Sequence, residues 1–166
     1  RLQHNHAVQP GQPVPDLQVG ENQKPKLEAS VPVKEVSYMH SFGISPNYFI
    51  LTEFPFLVNP LKILFSNKPF IENYRWKPER GTRIYLVDRK NGSLEKTLVT
   101  DPFFAFHHVN AFEKDEHLMM DIVCYPDVDV IPSFYLERIR EENKPLPVGE
   151  FRRYTINLAD HSIRYD

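Results

Sequence analysis

His40 and His107 each sit in an aromatic run, 67 positions apart, and imidazole is the side chain here best suited to hold a metal ion. The first run is SYMHSFGISPNYFILTE, residues 37–53; the second is DPFFAFHHVNAFE, residues 101–113, where His107 is followed directly by His108. A neutral imidazole against an apolar wall is either a hydrogen-bonded core residue or a ligand for iron, zinc or copper. Two such residues do not make a site. The spacing matches no H-E-x-x-H or facial-triad motif. The residues alone therefore give an all-β domain with a candidate metal site.

Other chemistries have less support. Ser41 and Ser45 lack a G-x-S-x-G setting. The 6 glycines form no phosphate-cradling loop. One cysteine excludes an intrachain disulfide framework and any CxxC zinc site, and Cys124, inside DIVCY, reads as a small core residue. Asp121 of the same run is expected to hydrogen-bond a neighbouring loop. Glu53, Asp88 and Glu113 lie near strand ends, which is no basis for a paired-carboxylate site. His4 and His6 read as solvated side chains of a polar tail, and His117 and His161 lack comparable surroundings. A net charge of −2 without a Lys/Arg run argues against nucleic acid as a partner. No stretch of 18 apolar residues is present.

The elements that must position the histidines read as short strands. Residues 1–26 are rich in Pro and Gln and are expected to be poorly structured, because they bury too little apolar area to offset their ordering entropy. From there to residue 166, β-branched and aromatic segments alternate with turn residues. TRIYLVDRKNGSLEKTLV reads as a hairpin with a type I′ turn at Asn91-Gly92. A second hairpin turns at Lys114-Asp115-Glu116, SFYLERIREE fits strand or helix, and FRRYTINL reads as a last strand. Residues 55–76 break the pattern. Pro60 can open a short helix over about 60–66, which either packs into the core or presents an apolar patch, flanked by Lys62 and Lys68, to a bilayer.

The two histidine-bearing runs resemble the carotenoid cleavage oxygenase family. SYMHSFGISPNYFILTE is similar to its H-S-F-G-x-T-x-N-Y segment, and FFAFHHVNAFE to its F-H-x-x-N-A-[FY]-E segment, in the same order and at a similar separation. LMMDIVCY, FYLERIRE and FRRYTINL extend the resemblance over about residues 27–158, nearest to the branch of animal β-carotene oxygenases and the retinoid isomerohydrolase. It implies a seven-bladed β-propeller, of which residues 27–166 would form a central part of about three to four blades with a short apolar helical insertion. It also implies an iron(II) held by four histidines. Two of these map onto His40 and His107, since the family pattern fixes the first His after the Phe and adjacent strand side chains face opposite ways. The other two, and the glutamates that orient the ligands, would lie beyond this sequence.

By the same resemblance Tyr38, Ile63, Tyr74, Phe106 and Tyr125 would line a substrate tunnel, and residues 57–70 would contact one membrane leaflet. The implied activity is cleavage of a conjugated double bond of a carotenoid or apocarotenoid by O2, giving retinal-type carbonyl products. The alternatives are a retinyl ester isomerohydrolase or a non-catalytic carotenoid- or lipid-binding piece. A cytoplasmic, peripherally membrane-associated protein is expected.

Overall fold

A computed structural model describes residues 17–18, 26–141 and 144–166. The expectation for residues 1–26, with His4 and His6, lies outside the described residues except for a two-residue antiparallel pairing of β1 (Leu17–Gln18) with β2 (Lys26–Leu27). The strands that follow are β3 (Val36–Ser37), β4 (Gly43–Ile44), β5 (Tyr48–Glu53), β6 (Phe56–Val58), β7 (Arg75–Trp76), β8 (Thr82–Asp88), β9 (Leu94–Thr100), β10 (His108–Lys114), β11 (His117–Cys124), β12 (Glu150–Asn157) and β13 (Ile163–Tyr165). Among the described residues the short α-helices are α1 (Pro60–Leu64) and α2 (Leu136–Ile139).

Two four-stranded antiparallel meanders organise the chain, β4-β5-β8-β9 and β10-β11-β12-β13. A three-stranded sheet, β3-β6-β7, and α1 occupy the connections around the first meander. The period-2 pattern decides which side chains enter the core. Along β11, Leu118, Met120, Ile122 and Cys124 are fully buried in alternation. Strands β5 and β8 are covered on both faces. Ile50, Ile84 and Leu86 enter the main core with Phe54, Phe103 and Phe104, while Phe49, Leu51, Tyr85 and Val87 pack with Ala29 and Val31 in a second cluster. Each such side chain removed from water contributes about 1.5–3 kcal/mol.

The turns depart from expectation in an instructive way. Asn91-Gly92 does not form the type I′ turn, since only Gly92 takes a positive φ, of 71°. Asp88 decides this: its Oδ1 accepts from the amides of Lys90 (2.6 Å) and Asn91 (3.2 Å), closing a longer loop. Gly92 is obligatory for a second reason, because a Cβ there would collide with the Glu28 carbonyl oxygen. The primed turn occurs instead at Asp115 (φ 50°) and Glu116 (φ 60°), between the paired residues Lys114 and His117.

Three further expectations resolve. The described part of SFYLERIREE takes the helical alternative, with a 3-10 turn at Pro132–Phe134 followed by α2 at Leu136–Ile139. Asp121 does not bond a loop; it receives both Nε (2.7 Å) and a terminal nitrogen (2.8 Å) of Arg153 from the neighbouring strand, because Asp121 and Arg153 are direct register partners. Helix α1 starts at Pro60, capped by Asn59 Oδ1 on the Leu61 amide (3.0 Å), but ends at Leu64 and buries none of its residues. The helix divides between the two alternatives: Ile63 packs half-buried against the main core, while Leu61 and Leu64 stay exposed.

The two meanders meet along their first strands. Gly43 of β4 faces Ala111 of β10, and a Cβ on Gly43 would stand 3.3 Å from that of Ala111. Two polar joints flank this contact. At one, Ser41 Oγ donates to the Phe106 carbonyl (3.1 Å) and accepts from the His108 amide (2.9 Å). At the other, Glu113 accepts from Ser45 Oγ (2.6 Å), the Asn47 amide (2.8 Å) and Asn47 Nδ2 (2.6 Å). Partial burial pushes the Glu113 carboxyl up, but these three bonds and Arg89 outweigh it and hold it below the usual carboxylate range.

A lowered folded-state value means that the Glu113 contribution is complete above about pH 4.5 and is lost as pH falls through the folded value. Glu113→Gln should destabilise the complete protein by about 1–2 kcal/mol at neutral pH. That gap should close as acid protonates the parent, which thermal melts across the acid range will measure.

Candidate metal centre and apolar cavity

His40 and His107 occupy equivalent places in the two meanders. His40 lies in the non-strand segment just before β4, and His107 immediately precedes β10. Because β4 and β10 are neighbouring first strands, the two approaches converge. The imidazole centroids stand 4.9 Å apart with the rings at 83°. Both side chains are exposed among the described residues. Metal–nitrogen bonds of about 2.1 Å put two cis imidazole centroids on the order of 5 Å apart, so the observed separation suits a shared ion. Among the described residues no group of three His, Cys, Asp or Glu forms a metal site. The donor set present thus fits two positions of a nitrogen-ligated centre.

His108 is oriented away from this pair. Its Nδ1 lies 3.0 Å from Ser41 Oγ and its Nε2 lies 2.9 Å from Thr52 Oγ1, so both ring nitrogens are engaged. Burial pushes its pKa down to about 4, which keeps the ring neutral. His117, by contrast, bonds the Asp115 carbonyl within the hairpin turn.

An apolar cavity of about 460 Å³ opens beside α1 and β3. Tyr38, Ile63 and Tyr74 line it, together with Val58, Leu51 and Phe70. Phe106 and Tyr125 are not on its wall. They continue it as an aromatic chain: Phe106 meets Tyr38 at 6.5 Å, Tyr125 at 6.1 Å, His40 at 6.2 Å and His107 at 6.4 Å between centroids. Tyr38 links cavity and histidines, since its ring stacks on His40 at 6.3 Å and its hydroxyl lies 3.4 Å from Nδ1. Burial raises the pKa of Tyr38 and of Tyr74, so both phenols stay protonated.

Two contributors were not visible in the sequence. Glu53 reaches the cavity wall at 5 % exposure, with Arg80 (3.2 Å), Arg83 (3.0 Å) and the Tyr85 hydroxyl (2.5 Å) on its carboxylate. The only hint was an acid inside the apolar run LTEFPF; its partners lie about thirty residues on and are not implied by that run. Phe134, from a segment with ambiguous patterning, packs its ring 5.7 Å from Phe106.

The sequence matches the family described as retinal pigment epithelial membrane protein (RPE65) over residues 4–165. Carotenoid isomerooxygenase of Galleria mellonella is 37% identical over 120 residues, covering 70% of this chain and 23% of that protein. Beta,beta-carotene 15,15'-dioxygenase of Gallus gallus is 32% identical over 147 residues, covering 80% of this chain and 27% of that protein. The chain thus spans about a quarter of the length of these relatives. In three dimensions it is similar to an ACO/RPE65 chimera (TM-score 0.71, 26% identity, 86% of this chain and 29% of that one). It is likewise similar to cobalt-substituted Synechocystis ACO (TM-score 0.68, 27% identity, 87% and 29%). With the family matched along nearly its whole length, the chain belongs to the carotenoid cleavage oxygenase (RPE65) family.

Proposed function

We propose that the protein carrying this chain is an iron(II)-dependent dioxygenase that cleaves a conjugated double bond of a carotenoid or apocarotenoid. One C=C and one O2 are consumed and two carbonyl fragments form. The observation that carries this reading is the convergence of His40 and His107, 4.9 Å apart, at the end of an aromatic chain leading from an apolar cavity. The two four-stranded meanders are read as adjacent blades of a seven-bladed propeller, with the remaining two histidines and their orienting glutamates supplied by the rest of the longer protein.

In this reading His40 and His107 hold the iron, and activation of O2 is the chemistry the metal supplies when bound. Tyr38, Ile63 and Tyr74 hold a rigid apolar polyene by shape, and Phe106 and Tyr125 extend that wall toward the histidines. The Tyr38 and Tyr74 phenols remain neutral, and the dense aromatic packing keeps water from the reacting bond. Isomerohydrolysis of a retinyl ester, which the resemblance of the two histidine-bearing runs also implies, is the second reading.

The apolar surface on α1 and the following loop is proposed to rest on one membrane leaflet. Leu57 and Val58 are buried in β6, so the contact surface begins later than residue 57. It comprises Leu61 (62% exposed), Leu64 (76%), Phe65 (88%) and Phe70 (59%), with Lys62 and Lys68 alongside for anionic headgroups. A lipid-dissolved substrate would enter beside Leu64 and Phe70, which also line the cavity.

Iron content of the complete open-reading-frame product should fall from about one per chain to near none in both His40→Ala and His107→Ala. Retention of iron in both, or its absence from the parent, removes the metal reading. Assay of the parent on β-carotene and on retinyl ester separates the two reactions, since ester turnover without polyene cleavage selects the second. Leu64→Glu/Phe65→Glu should reduce sedimentation with phosphatidylserine-containing vesicles several-fold while leaving the melting temperature unchanged.

A further inference from the structure

We infer that the hydrogen-bonded chain Ser41–His108–Thr52 is a positioning device that sets the separation of the His40 and His107 imidazoles. The inference rests on the proposed reading of those two residues as metal ligands. Each member of the clamp is one peptide from a ligand or anchors one that is. Ser41 follows His40, and His108 follows His107. Thr52 belongs to β5 at the centre of the first meander and is completely buried.

With the Ser41 hydroxyl proton on the Phe106 carbonyl, the chain has one consistent polarity. Ser41 has one hydroxyl proton, and it goes to the Phe106 carbonyl at 3.1 Å. The lone pairs of Ser41 Oγ then accept from the His108 amide at 2.9 Å and from His108 Nδ1–H at 3.0 Å. That tautomer leaves Nε2 as an acceptor for the Thr52 hydroxyl at 2.9 Å. Every donor has an acceptor, and the imidazole needs no second proton.

Mechanically, one serine oxygen grips three atoms of the 106–108 backbone and ring, on both sides of His107. The grip is cross-braced to a buried strand, so residues 40–41 and 106–108 cannot slide past each other without breaking bonds in an apolar interior, where each unmet polar group is costly. A metal held by imidazoles from two separate sheets requires such a brace. Ligand geometry is otherwise at the mercy of two non-strand segments. The arrangement also explains why two consecutive histidines are present: one faces the metal position and the other fixes the segment that carries it.

The test uses cobalt(II) titrated into the metal-free complete protein, read by visible absorption and by affinity. Ser41→Ala and Thr52→Val should each weaken cobalt binding by about 10-fold or more and alter the ligand-field bands, and Ser41→Thr, which keeps a hydroxyl, should restore both. Glu113→Gln, which breaks the other joint between the same two sheets, should lower the melting temperature while leaving affinity and bands unchanged. If Ser41→Ala fails to fold, Thr52→Val carries the comparison. Unchanged cobalt affinity and bands in the clamp variants, or the same change in Glu113→Gln, overturn the inference while leaving the ligand reading intact. A parent that binds no cobalt overturns both.

Discussion

The contact between Gly43 and Ala111 is the constraint on which the rest of the arrangement depends. A missing side chain on one first strand and a single methyl on the other let two sheets come together where larger residues would hold them apart. Once β4 and β10 are that close, the segments leading into them are neighbours too, and the side chains borne there meet whatever their separation in sequence. The polar joints then have short spans to bridge. Ser41 fastens one end and Glu113 the other, so the interface is fixed in rotation as well as in distance.

The division of labour between the two consecutive histidines follows from the same geometry. At the start of β10 successive side chains point to opposite sides. His107 emerges toward His40, and His108 turns into the space between the sheets, where it is kept neutral by burial and saturated by two hydroxyls. The aromatic residues around them serve both structure and site. Tyr38 packs against Phe56 and Phe104 and Phe106 against Phe104 in the core, yet the same rings touch His40.

Much of this was legible in the sequence where the signal was local. The hairpin around Lys114-Asp115-Glu116, the β-branched content of TRIYLVD and the helix-opening place of Pro60 each translated directly into observed elements. The dipeptide Asn91-Gly92 signals a primed turn, but the Asp88 side chain three residues earlier offers two amides a competing arrangement. Asp121 misled because its partner is set by strand register, which places Arg153 opposite it. The pairing of His40 with His107 was legible only through resemblance to a family. Composition and spacing contain no information on which two strands will be neighbours, and the buried Glu53 with its arginines was invisible for the same reason.

The topology around α1 has an evolutionary corollary. The whole segment from β6 to β7 is spliced between β5 and β8, two strands that pair with each other in unbroken antiparallel register from Tyr48–Asp88 to Glu53–Arg83. Its exposed part, from Leu64 to Phe70, is free to drift in length and character, because the flanking Phe56, Val58 and Tyr74 are fixed in the core and the ladder pins the two ends side by side. The mouth of the cavity can therefore be remodelled without disturbing the strands next to the histidines. Diversity within such a lineage should accumulate at the rim while the hub stays fixed.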